Sequence, residues 1–67
     1  MNRTKREATQ RDVNMLAARV AYMTKQCRDM RKAGAAPDNQ YLLTIRDTVE
    51  RTQRVIRRLD ARLAREA

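Results

Sequence analysis

Apolar residues recur in two heptad stripes that mirror each other across a helix breaker. The first stripe is Val13, Leu16, Val20, Met23, Cys27 and Met30, in alternating steps of three and four. The second is Leu42, Ile45, Val49, Thr52, Ile56, Leu59 and Leu63, with the same alternation. Such spacing keeps side chains on one side of an α-helix and cannot line one face of a strand. Between the stripes lies Ala33-Gly34-Ala35-Ala36-Pro37-Asp38. Folding the chain back at residue 36 sets Met30 opposite Leu42, Cys27 opposite Ile45 and Met23 opposite Val49. The same register sets Val20 opposite Thr52, Leu16 opposite Ile56 and Val13 opposite Leu59. The pattern predicts an all-α fold, an antiparallel two-helix hairpin of coiled-coil type.

Local signals mark the ends of these helices. Thr4-Lys5-Arg6-Glu7 fits a capping box, in which Thr4 accepts from the Glu7 backbone and Glu7 reaches back. Helix 1 is expected over about 4–33. Gly34 suits the residue just past a helix end, where the backbone turns left-handed. Pro37 pushes Ala36 out of the helical region, giving a turn over 34–38. Asp38 offers a side-chain oxygen as N-cap of helix 2, with Asn39 as the competing choice. Helix 2 is expected over about 39–65, and residues 1–67 form a single helical-hairpin domain.

The chain is short and poor in aromatics, with 67 residues, two Tyr, no Phe and no Trp. Its core must come from Leu, Ile, Val, Met and Ala, and burial within one hairpin leaves such a chain close to the limit of stability. Pairing two hairpins into a four-helix bundle, or docking on a larger partner, would relieve this. The apolar pattern supports that expectation, because it is wider than a two-helix seam. Tyr41, Thr48 and Val55 recur every seven residues beside the second stripe. Ala8, Met15 and Tyr22 do so beside the first, with Ala18 nearby. Singly exposed apolar residues are common. Four that line up, Met15, Tyr22, Tyr41 and Val55, point to a dimer or partner interface and to a homodimer.

Several function classes find no residues to carry them. There is no His, one Cys and one Gly. Imidazole catalysis, zinc ligation, P-loops and dinucleotide-binding turns therefore lack their required groups. The acids are scattered, and none falls on the apolar stripes, so no carboxylate pair can form inside a bundle. No enzymatic activity, metal or cofactor is expected. Cys27 lies on the apolar stripe, which predicts a buried, reduced thiol. The N-terminus has basic residues but no apolar run like that of a secretory leader, and no stretch is apolar enough to span a membrane. A soluble, cytoplasmic protein is the expectation. Membrane-surface binding is disfavoured, because these heptad-regular faces suit packing on protein.

What remains is charge. The formal net charge is +8, with 16 Lys and Arg against 8 Asp and Glu, and 13 of the 16 are Arg. Arg51, Arg54, Arg58, Arg62 and Arg65 step along helix 2 within a sector of about 80°, turned away from the apolar stripe. The row is roughly 21 Å long at 1.5 Å per residue. A GC-rich genome also enriches Arg, and a solvated helix face is commonly charged. A row of planar, bidentate donors nonetheless matches the phosphates of a nucleic acid or the carboxylates of an acidic protein. The sequence thus predicts a small non-enzymatic regulatory or accessory protein that engages an anionic partner, foremost a nucleic-acid backbone. The alternative is a protein-interaction adaptor or inhibitor, of a size seen in phage or mobile-element proteins, that docks its heptad face on helices of a target.

Overall fold

A computed structural model describes residues 3–66 of the chain. Two helices, α1 (Arg3–Lys32) and α2 (Gln40–Arg65), are the regular elements of the described residues, and no strand is present among them. The helices pack against each other as an antiparallel hairpin. The result is a rod whose Cα atoms span 48 × 14 × 13 Å.

The seam forms from the two heptad stripes. All thirteen stripe residues are buried or half-buried, and none is exposed. Near the loop, Cys27, Leu42 and Ile45 form the buried cluster, with Met23, Met30, Ala35 and Val49 packed on it. These are the neighbours that the register pairing Met30 with Leu42, Cys27 with Ile45 and Met23 with Val49 requires. Leu42 is 1% exposed, the deepest side chain of the hairpin. Toward the other end, Val13 and Leu63 are buried. The middle of the seam is shallower: Leu16, Val20, Thr52 and Ile56 are half-buried. Thr52 sits in the apolar seam without an orphaned hydroxyl, because its Oγ1 donates to the Thr48 carbonyl at 2.8 Å. Thr48 and Thr44 bond back one turn in the same way, satisfying each hydroxyl within α2.

The connection follows from three residues. Gly34 has φ +96°, in the left-handed region open to glycine. Its N–H donates to the Arg31 carbonyl and the Ala35 N–H to the Met30 carbonyl, both at 3.0 Å. This double bond pattern is a Schellman cap, and Ala35 packs on the core beside Met30, supplying the accompanying apolar contact. The Asn39 N–H then donates to the Ala36 carbonyl at 3.0 Å, closing a β-turn with Pro37 and Asp38 at its centre.

Two capping expectations need correction. Asp38 does not cap α2, because it occupies the centre of that turn. Asn39 caps instead: its side chain accepts from the backbone N–H groups of Tyr41, at 2.9 Å, and Leu42, at 3.3 Å. The Thr4–Glu7 capping box does not form either. α1 already includes Arg3 and Thr4, and the Glu7 carboxylate accepts from the Arg3 Nε at 3.2 Å, an i,i+4 pair on the exposed surface.

The heptad of α1 also runs further back than apolar residues reveal. Arg6 and Thr9 continue the alternation toward the N-terminus, and both are half-buried. The Arg6 Nη1 reaches across the seam and donates to the Leu63 carbonyl at 3.1 Å. That carbonyl lies in the last turn of α2, where helix carbonyls lose their own donors. The open end of the hairpin is therefore closed by an arginine.

Candidate functional site

The outward side of α2 carries the basic row. Arg51, Arg54, Arg58, Arg62 and Arg65 are all exposed. The helix places them on one sector because their spacing of three and four residues nearly matches its turn. Arg51 is paired within the row: its Nη2 lies 2.7 Å from the Asp47 carboxylate, one turn earlier. Both side chains of that pair are more than 60% exposed, so solvent screens it strongly. Arg54 and Arg58 make no ion pair with a described carboxylate, whereas the charges of Arg62 and Arg65 act on the neighbouring Glu66 carboxylate. Glu50 and Arg54 form none, although their spacing would also allow one. Arg58, Arg62 and Arg65 border a shallow depression whose floor is Val55 and Leu59. The row is thus a line of exposed guanidinium groups, with carboxylates only at its two ends and an apolar margin on one side.

Beside this row runs the apolar flank. Met15 is 52% exposed, Tyr22 65%, Tyr41 54% and Val55 41%. Met15 and Tyr22 come together with Thr48 and Thr52 of α2 across a groove of about 450 Å³, whose only charged lining residue is Arg19. Val55 lies further along, in the depression shared with the arginines. Tyr41 stands near the loop and lines neither feature. Leu43, 42% exposed, is a further uncovered apolar side chain. It belongs to neither seven-residue series, so periodicity could not single it out.

The opposite flank holds a second basic feature that the sequence did not reveal. Arg28 and Arg31 of α1 meet Arg46 of α2 around a groove of about 290 Å³ that also contains Thr24, Glu50, Cys27 and Val49. Each helix alone shows only scattered arginines here. The cluster exists because the antiparallel register sets residue 46 opposite residue 26, about half a turn from Arg28. Cys27 forms part of this groove yet stays 7% exposed and unpaired, a reduced thiol packed in the seam.

Among the described residues no group of three or more His, Cys, Asp and Glu side chains could hold a metal ion. No described helix is long and apolar enough to cross a membrane. No protein-family model matches the chain, and neither a curated protein nor a solved structure does so.

Proposed function

We propose that this is a small, non-enzymatic binding protein of the cytoplasm. It self-associates through its apolar flank into a four-helix bundle and grips the phosphate backbone of a nucleic acid through Arg51, Arg54, Arg58, Arg62 and Arg65. The observation that carries this reading is the run of exposed arginines from Arg51 to Arg65, in which Arg54 and Arg58 have no carboxylate partner among the described residues. Five guanidinium groups on one helix side, with carboxylates only at the two ends of the row, Asp47 and Glu66, repel one another, and a polyanion relieves that repulsion. The row spans roughly 16 Å from Arg54 to Arg65 at 1.5 Å per residue. Duplex DNA carries one charge per about 1.7 Å of axis, so the row can meet several phosphates at once.

The mode of recognition follows from what the row lacks. No aromatic side chain interrupts it, so stacking on unpaired bases has no platform. No short recognition helix projects from the rod toward a groove. Binding therefore reads the backbone, with little preference among sequences.

The apolar groove beside Met15 and Tyr22 favours a second reading, an adaptor that docks on helices of another protein. Solution mass at low salt, measured with and without duplex DNA or RNA, separates the two. Nucleic-acid binding predicts a dimer that gains mass with either duplex. A mass unchanged by both duplexes would set this reading aside in favour of the adaptor.

A further inference from the structure

We propose that two copies of the hairpin dock face to face through the Met15–Tyr22 flank in antiparallel sense, the loop of each lying beside the open end of the other. The inference rests on the self-association reading above and adds to it the face used and the direction of docking.

The first support is incomplete burial. Among the described residues only Val13, Cys27, Leu42, Ile45 and Leu63 are buried, a small core for a chain of this length. The half-buried part of the seam, around Leu16 and Thr52, is where the uncovered groove lies. Covering that groove completes the core at its weakest place.

The second support is size. The rod's Cα extents of 48 × 14 Å give a flank of roughly 700 Å². Each partner of a stable dimer typically contributes about 800 Å². Near-complete overlap is therefore needed. The groove allows it, because Met15 to Tyr22 and Thr48 to Thr52 sit close to the mid-length of the hairpin. A two-fold axis through mid-length superposes flank on flank.

Charge selects the direction. The open half, residues 1–19 and 53–67, holds ten Lys and Arg against four acids, a net +6. The loop half, residues 20–52, holds six against four, a net +2. Parallel docking stacks the two strongly basic halves on each other. Antiparallel docking sets each strongly basic half on a nearly neutral one, which lowers the repulsion between like-charged copies. With the axis near residues 18 and 19, α1 crosses its own counterpart, and Met15 faces the partner's Tyr22. In the parallel arrangement α1 lies over α2 of the second copy, and Met15 faces the partner's Val55.

Directed disulfide formation tests this. In a Cys27→Ala background that keeps the sedimentation and helicity of the native protein, chains carrying Met15→Cys are refolded together with chains carrying Tyr22→Cys. A parallel mixture pairs Met15→Cys with Val55→Cys. After mild oxidation, a mixed disulfide as the major product of the Met15/Tyr22 mixture is the expected result. A mixed disulfide from the Met15/Val55 mixture instead would overturn the direction. Native protein that sediments as a dimer but yields neither product would overturn the face. Native protein that sediments as a monomer would overturn self-association itself and leave the flank open to another protein's helix.

Discussion

The Arg6 guanidinium donates to the main-chain carbonyl of Leu63 at 3.1 Å, joining residues 57 positions apart in sequence. It is a polar contact that ties the two helices at the end of the hairpin away from the loop. Arg6 lies on the heptad stripe, so its aliphatic stem covers the seam while its head reaches the end of α2. Arg6→Ala should destabilise the hairpin by about 1 kcal/mol. Amide exchange should quicken in the last turn of α2 and stay unchanged near Leu42. Uniform exchange along α2 would show that the contact contributes nothing local.

The loop yields a contrast between neighbours. Asn39→Ala removes the side-chain acceptor for two backbone N–H groups and should cost about 1 kcal/mol. Asp38→Ala, in the adjoining turn, should be nearly neutral. Gly34→Ala should also cost about 1 kcal/mol. Nothing lies within 4 Å of an added Cβ there, so the penalty comes from φ +96° alone. Chemical denaturation of the three variants checks the order.

Core truncation separates the isolated hairpin from the assembled one. Leu42→Ala should cost about 2–5 kcal/mol, because Leu42 is 1% exposed within a single chain. Leu16 and Ile56 are only half-buried there, so truncating either should cost clearly less in a monomer. If a second copy covers the seam, their cost rises toward that of Leu42. Denaturation at low and high protein concentration measures the difference.

Cys27 should behave as a packing residue. Cys27→Ala should retain helicity and assembly at a cost of about 1 kcal/mol. Alkylation of the native thiol should be slow until the protein unfolds. Rapid alkylation of folded protein would mean that the thiol is far more accessible than its 7% exposure indicates.

The hairpin was legible in the sequence because apolar heptads and Gly34 act through short-range geometry. Met30, Cys27 and Met23 lie beside Leu42, Ile45 and Val49 as the stripes require. Capping was read less well. Asp38 and Asn39 are both good caps, and only the turn closed by the Asn39 N–H decides between them. Thr4 and Glu7 matched a motif whose first residue must stand outside the helix, whereas α1 begins before Thr4. Arg6 escaped notice because a polar residue at a heptad position carries no hydropathy signal. The cluster of Arg28, Arg31 and Arg46 was hidden for a different reason, since it exists only across two helices. The arginine row was legible because it lies on one helix, whereas the Glu66 carboxylate beside Arg62 and Arg65 is seen only in the folded chain.

The most direct test of phosphate binding is the salt dependence of affinity for a short duplex. Native protein should give a linear fall of log affinity with log salt, and Arg54→Ala with Arg58→Ala should flatten that slope by roughly two units, at about 0.9 per lost phosphate contact. Helicity and sedimentation should stay unchanged, because exposed arginines contribute little to stability. A native protein that ignores duplex DNA and RNA at low salt, or a double variant with an unaltered slope, would contradict the assignment of the row.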